Sequence, residues 1–166
     1  SLSRDIVAAS LDHLTRITLP QGRFVYAHAL DDVGAATEGY NLLRHCGTLW
    51  FMARAAAQPN PDPDLIGAIQ RATGFLGGKL HPTPWARPGQ PSLALVGNDM
   101  VKLGGLGLGL LALTEVRALL ALKGAAPPTL PLSLNETISR MRRYALDEID
   151  GDDFRHKRSF PDGAEQ

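Results

Sequence analysis

The sequence has little of several features on which specialised protein classes depend. Its 166 residues include a single cysteine, Cys46, which excludes an internal disulfide framework and a cysteine-rich metal centre. Lysine plus arginine number 17 and aspartate plus glutamate also 17, so no net charge favours nucleic acid or an anionic membrane as a partner. Residues 1–5 do not form a signal peptide, and the apolar run 103–114 is too short and too rich in glycine to span a bilayer. Together these absences predict a cytoplasmic protein.

The sequence also lacks the spacings that hold metals and phosphates. Its histidines are too scattered to form a ligand set. The glycines of the 104–109 stretch lack the lysine and the preceding strand of a phosphate-binding loop, so close packing against a neighbouring backbone is the favoured interpretation. We therefore expect no metal site and no cofactor. The histidines are His13, His28, His45, His81 and His156, and the glycines are Gly104, Gly105, Gly107 and Gly109.

The stretch 38–58 reads as one helix whose composition changes halfway along, with Thr37 as its cap. Its first turns carry Tyr40, Asn41, Arg44 and His45, and residues four apart line up on a helix surface. The second half is apolar on all sides, which is typical of a buried helix and predicts an inert, buried thiol at Cys46. Polar first turns on a buried helix are a candidate functional site. The alternative is a capped helix start whose polar groups are satisfied locally.

The remaining elements alternate between amphipathic and fully apolar helices. Amphipathic patterns cover 3–17, 63–78 and the helix that begins at the capping box 133–136, and a second apolar helix covers 104–122. An extended piece at 23–28 and two short strands at 93–103 around a Gly-Asn-Asp turn lie between helices, and 79–92 is a loop. This order predicts an all-α fold, a partial α/α toroid of helical hairpins with short β segments, as a single domain over 1–158 followed by a polar tail at 159–166.

Three amphipathic helices cannot shield two apolar helices on every side. The chain holds about two and a half hairpins, fewer than a closed ring of hairpins needs. An exposed apolar face usually marks a binding surface. We therefore expect a second half-toroid chain, or a copy of this one, to complete the ring. A compact five-helix bundle and a fragment of a longer enzyme are the alternatives.

Three stretches together resemble bacterial α/α-toroid proteins of the six-hairpin class, which includes glucuronyl C5-epimerases and unsaturated glucuronyl hydrolases. They are Gln-Gly-Arg-Phe-Val-Tyr at 21–26, Tyr-Asn-Leu-Leu-Arg-His-Cys-Gly-Thr-Leu at 40–49, and Val-Lys-Leu-Gly-Gly at 101–105. The half size of the chain resembles the subunits of two-chain cyclases in natural-product pathways, specifically the heterodimer that forms the aziridine of azinomycin-like compounds. This resemblance implies a cyclase- or lyase-type enzyme that works as part of a complex, on a sulfated amino-acid unit held by a small acidic carrier protein.

In the cyclisation hypothesis an amine displaces a neighbouring sulfate, so the site needs a base and anion contacts. His45 is a candidate base or anion contact, Asp99 is a candidate base, and Asn41 is placed to orient His45. Arg44 and Lys102 are candidate contacts to the anion. Exposed N–H groups at the starts of the two apolar helices would add to anion binding. A basic helix face at Arg140, Arg142 and Arg143 is a candidate dock for the carrier, although such a face is more often simply solvated.

In the alternative hypothesis the same pocket binds a uronic acid. Arg44 would then hold the carboxylate, and Tyr40 or Tyr26 would support proton transfer. Glycoside hydrolysis needs two facing carboxyl groups, and Asp99 with Glu38 is a poor pair, so epimerase or lyase chemistry is favoured over hydrolysis. A third alternative is a non-catalytic chain that only scaffolds a catalytic partner.

Overall fold

A computed structural model of the chain describes residues 2–26, 40–150 and 153–163. Five helices lie within these ranges: α1 (Leu2–Arg16), α2 (Leu42–Ala55), α3 (Pro63–Gly77), α4 (Leu103–Lys123) and α5 (Leu134–Asp147). The same ranges hold six short strands: β1 (Leu80–Pro82), β2 (Leu93–Gly97), β3 (Met100–Lys102), β4 (Ile149–Asp150), β5 (Asp153–Phe154) and β6 (Lys157–Ser159).

Side-chain caps set the starts of three helices. Asp62 accepts from the Asp64 N–H at the start of α3, and Ser133 accepts from the Glu136 N–H at the start of α5, as the sequence predicts. The start of α2 differs from the prediction, because Asn41 is its N-cap and accepts from the Arg44 N–H. Thr37, the predicted cap, lies outside the described residues.

The two apolar helices lie side by side and run parallel. The start of α2 meets the start of α4, where Leu43 lies 3.6 Å from the position that a Cβ on Gly104 would occupy. Towards the other end, Arg54 of α2 forms an ion pair with Glu115 of α4 at 2.9 Å. Helix α3 runs the opposite way, since Ala72 near its end reaches the start of α2. Helix α5 does so too, since Asn135 at its start bonds Arg117 near the end of α4, and Met141 further along lies beside Gly109. Both starting ends of the apolar pair therefore lie at one end of the molecule.

An antiparallel sheet covers that end. Its strand order is β1-β2-β3-β6, and β2 and β3 are joined by a two-residue turn in which Asn98 and Asp99 both have positive φ, the geometry of a type I′ hairpin. The prediction of an all-α partial toroid is therefore wrong, and the fold is mixed α and β. The hairpin at 93–103 is as predicted, but β1 comes from the predicted loop and β6 from the segment at the predicted tail boundary.

Segment 159–163, predicted as a polar tail, packs against the rest of the protein. Phe160 contacts the rings of His81 and Trp85, and a Cβ on Gly163 would lie 2.8 Å from Trp85. These contacts hold the last described residues against the loop between β1 and β2.

Helix α4 is only partly enclosed, although its sequence is apolar. Leu111 is 53% exposed and Leu122 is 64% exposed, and Leu43 of α2, which lies near Gly104 at the start of α4, is 47% exposed. In the described part of the chain α4 alone is long and apolar enough to resemble a membrane span, and it packs against α2, α5 and the sheet. One side of the α2/α4 pair is thus an exposed apolar face.

Close packing explains one of the four glycines at the start of α4. A Cβ on Gly109 would lie 3.3 Å from side-chain atoms of both Leu95 and Met141, so the packing at Gly109 is close, but its neighbours are side chains and not the backbone that was expected. A Cβ on Gly105 or Gly107 would meet nothing within 4 Å. The packing interpretation is therefore wrong for these two residues, because no neighbour within the described structure requires them.

Candidate functional site

A cavity of about 420 Å³ opens where α2 and α4 begin. Helix starts, the β2–β3 hairpin and the segment before β6 contribute to its wall. Its lining residues are Tyr40, Asn41, Leu42, Leu43, Leu95, Gly97, Asn98, Met100, Lys102, Gly104, Gly105, His156 and Lys157.

The polar part of this cavity is cationic. Lys102 of β3 and Lys157 of β6 are register partners in an antiparallel pair, so their side chains leave the same face of the sheet. His156 lies beside them, and none of the described lining residues is acidic. Like charges directly opposite each other in a sheet destabilise it. An anion between the two lysines would remove that repulsion.

Backbone donors add to the positive character of the cavity. No side chain caps α4, and its first turn contains no acidic residue. The N–H of Leu103 is taken by the His156 carbonyl, but the next N–H groups, of Gly104 and Gly105, fall at helix positions with no acceptor inside the helix. Without a Cβ at these residues the backbone stays open to the cavity, and a helix start favours negative charge.

Tyr40 forms part of the wall and is held in place by His45. The His45 Nε2–H donates to the Ala72 carbonyl at 2.9 Å, which leaves Nδ1 to accept from the Tyr40 hydroxyl at 2.7 Å. The Tyr40 oxygen in turn accepts from the Phe24 N–H at 2.9 Å. Burial raises the pKa of Tyr40, so the phenol is neutral near neutral pH.

His45 is not placed to act as a base or an anion contact. Its side chain is 0% exposed, and burial lowers its pKa to about 4. Both ring nitrogens are occupied, and the rings of Phe24 and Phe75 lie 4.9 Å away. The polar groups of His45 are therefore satisfied within the protein, by Tyr40 nearby in the sequence and by Ala72 of α3, and His45 holds Tyr40 in position.

The other predicted site residues divide between the cavity and its surroundings. Asn41 and Lys102 line the cavity, and Asn41 caps α2 instead of orienting the His45 ring. Asp99 lies in the exposed hairpin turn next to Asn98 and is not among the lining residues. Arg44 is exposed and lies over the Tyr26 ring, with 5.4 Å from the guanidinium carbon to the ring centroid.

Tyr26 supports Tyr40 from outside the cavity. The two rings are stacked with centroids 5.8 Å apart, and the Tyr26 hydroxyl donates to Thr48 at 3.3 Å. Burial raises the pKa of Tyr26 as well. Arg23 lies over the Tyr40 ring, with 4.6 Å from its guanidinium carbon to the ring centroid. These cations lie near the cavity without lining it.

His156 and Lys157 are the functional candidates that sequence reasoning missed. They belong to a short polar stretch at the end of the chain, and only the pairing of β6 with β3 brings them to Lys102. The one local signal is the run of basic residues at 155–158.

A second cavity of about 330 Å³ has a more balanced charge. Two of its three arginines form ion pairs with carboxylates of the same chain, with Arg158 3.4 Å from Glu148 and Arg87 3.7 Å from Asp147. The first cavity is therefore the stronger candidate for an anionic ligand. No cluster of metal-binding side chains occurs among the residues that the structure describes.

The buried thiol and most of the basic helix face make contacts within the protein. Cys46 is fully buried, and burial raises its pKa to about 12, so it is not a nucleophile at neutral pH. Arg140 pairs with Glu136 at 2.6 Å, and Arg143 donates to the Pro91 carbonyl at 2.6 Å. Arg142 is the exposed member of the three, so most of the predicted carrier dock is used within the protein.

Comparison of the chain with protein-family models, curated proteins and solved structures gave no match. The resemblance to six-hairpin enzymes and to two-chain cyclases therefore stays a prediction, and function has to be inferred from the geometry.

Proposed function

We propose that the protein binds a small anionic molecule in the cavity at the starts of α2 and α4, with the acidic group between Lys102 and Lys157. The observation that carries this proposal is the cross-strand pairing of the two lysines in a cavity with no acidic residue among its described lining. A pair of like charges costs stability in the free protein, and a bound carboxylate, sulfate or phosphate turns that cost into attraction.

The helix starts support the same proposal. Two helices direct their N-terminal ends to one cavity, and neither has an acidic residue in its first turn. Gly104 and Gly105 leave backbone donors accessible at the start of α4. Each glycine inside a helix costs up to about 1 kcal/mol relative to alanine, and Gly105 has no packing neighbour that explains the cost. Contact of the backbone with a ligand explains it.

We also propose that another protein chain, either a different subunit or a second copy, covers the exposed apolar face of the α2/α4 pair. Leu43, Leu111 and Leu122 form the most exposed part of that face. Leu43 also lines the cavity, so a covering chain would border the ligand. This arrangement fits a subunit of a larger enzyme, in which catalytic groups not provided by the cavity come from the partner. A cytoplasmic location is part of the same proposal.

Equilibrium dialysis with radiolabelled sulfate tests the anion site. The wild-type chain is expected to show saturable binding of about one sulfate per chain, and Lys102→Gln is expected to abolish it. Arg142→Gln is the matched control, because it removes one positive charge from an exposed position on α5 outside the cavity. Equal sulfate binding by Lys102→Gln and wild type, or no saturable binding at all, would contradict the proposal.

A further inference from the structure

The cavity wall has two chemically different parts. One part carries Lys102, Lys157 and His156 together with the open backbone at the start of α4. The other part is hydrocarbon: Leu42 and Leu43 from α2, Leu95 from β2 and Met100 from β3. An inorganic anion bound to the cationic part would leave this hydrocarbon part without a contact.

Exposure of the apolar part shows that the protein itself does not cover it. Leu43 is 47% exposed and Met100 and Leu42 are partly exposed, although all three lie on elements packed against the core. A hydrocarbon surface next to a cationic surface favours a molecule that has both a hydrocarbon part and an anionic part. Contact between the two hydrocarbon surfaces removes apolar area from water.

The size of the cavity agrees with an organic ligand. Its volume of about 420 Å³ falls in the range of small-molecule sites, roughly 300–1,000 Å³. A lone sulfate would occupy only a small fraction of that volume. Strand β3 contributes to both the apolar and the cationic part of the wall. Met100 and Lys102 are two residues apart on it, so their side chains leave the same face of the sheet.

We infer that the ligand is an amphipathic organic anion, with one acidic group between Lys102 and Lys157 and a hydrocarbon body against Leu43 and Met100. This inference rests on the proposed anion site and adds the class of its ligand. The acidic group alone binds weakly, and the hydrocarbon body supplies most of the affinity and the selectivity. Tyr40, held by His45, forms a firm wall beside the body.

Titration calorimetry with n-alkyl carboxylates of increasing length, at fixed ionic strength and below their micelle concentrations, tests the inference. Butanoate, hexanoate and octanoate are the probes. Affinity is expected to rise about fourfold for each added methylene until the cavity is filled. The heat capacity change on binding is expected to become more negative along the series.

Two variants separate the cavity wall from the rest of the apolar face. Leu43→Gln is expected to flatten the dependence on chain length and to leave the affinity for butanoate within about twofold of wild type. Leu122→Gln, at an exposed leucine on α4 that does not line the cavity, is expected to keep the full dependence. Equal flattening in both variants would place the hydrocarbon on the outer face and overturn the inference.

Lys102→Gln distinguishes failure of the inference from failure of the anion site. If affinity does not depend on chain length but falls at least tenfold in Lys102→Gln, the anion site holds and the amphipathic ligand is refuted. If hexanoate binds Lys102→Gln as tightly as wild type, the anion site itself is refuted and the inference with it.

Discussion

Replacing Lys157 by glutamine is expected to stabilise the ligand-free protein and to remove its specific response to anions. Lys157 lies directly opposite Lys102, and both side chains leave the same face of the sheet. Opposed like charges in a sheet cost about 0.2–1 kcal/mol. Glutamine keeps the polarity and most of the stem of lysine while it removes the charge, so the free energy of unfolding should rise by about that amount.

The expected change in the free energy of unfolding determines the choice of assay. For a chain of this length 1 kcal/mol shifts Tm by about 2–4 °C, so the expected rise is from about 0.5 °C to about 4 °C. Urea is the suitable denaturant, because it is uncharged and leaves the repulsion unscreened. At an ionic strength of about 0.01 M the Debye length is about 30 Å, and at 1 M it is about 3 Å, so the gain should be largest at low salt and vanish in 1 M sodium chloride.

The anion response should move in the opposite direction. A ligand at 100 times its Kd stabilises the folded state by about 2.7 kcal/mol, so sulfate should raise the Tm of the wild-type chain beyond the general salting-out effect. Lys157→Gln should keep only that general effect, and Arg142→Gln should respond as wild type does. A Lys157→Gln protein that is less stable than wild type at low salt and keeps the full response to sulfate would refute the reasoning.

Three further predictions follow from the described contacts. The pKa of His45 is lower in the folded protein, about 4, than its ordinary value of 6.5. The unfolded chain therefore binds the extra proton first, and His45 costs the protein on the order of 3 kcal/mol of unfolding free energy as pH falls from about 6.5 to about 4. His45→Gln should reduce this slope in urea titrations, and equal slopes in the two proteins would show that His45 is not buried neutral. Gly105→Ala and Gly107→Ala, with no neighbour within 4 Å, should each raise stability by about 0.5–1 kcal/mol, while only Gly105→Ala weakens sulfate binding in dialysis. Equal sulfate affinity in the two alanine variants would exclude contact with the Gly105 backbone. Leu111→Gln should lower concentration-dependent self-association measured by light scattering, and a wild-type chain that stays a sharply melting monomer at all concentrations would argue against a second copy on this face.

Local signals in the sequence were sufficient for the caps of α3 and α5. The Asp62 and Ser133 caps act through neighbouring residues, so the pattern around them contains the whole interaction. The Asn98-Asp99 turn is local in the same way and was correctly expected between two strands. At α2 the predicted start was too early, since Asn41 is the N-cap and the helix begins at Leu42.

The sheet could not be read from single segments. Strand β1 includes Pro82 and lies in a stretch with no periodicity, and β6 is a polar tripeptide at Lys157–Ser159. Both become strands because they pair with the β2–β3 hairpin, whose edges would otherwise be unpaired. An all-α prediction follows when such long-range pairing is missing from the reasoning.

At the candidate site, too, residues set by local signals were predicted and those set by long-range contacts were not. Tyr40, Asn41 and Lys102 were predicted from their places at helix starts, and they line the cavity. Lys157 was missed because its relation to Lys102 exists only through strand pairing. His45 was expected in the site, but the partners that bury it, Ala72 above all, come from α3. Sequence spacing therefore located the end of the molecule at which the site lies but not the groups that define it.

The most direct test of the anion site is a titration of the labelled protein with sulfate, followed by the amide resonances in two-dimensional NMR spectra. The account predicts saturable shifts of the Gly104 and Gly105 amides, with shifts at Lys102 and Lys157 that share one Kd, and no such shifts in Lys157→Gln. Shifts that are absent, that do not saturate, or that concentrate around the second cavity at Trp85 and Arg158 would contradict it.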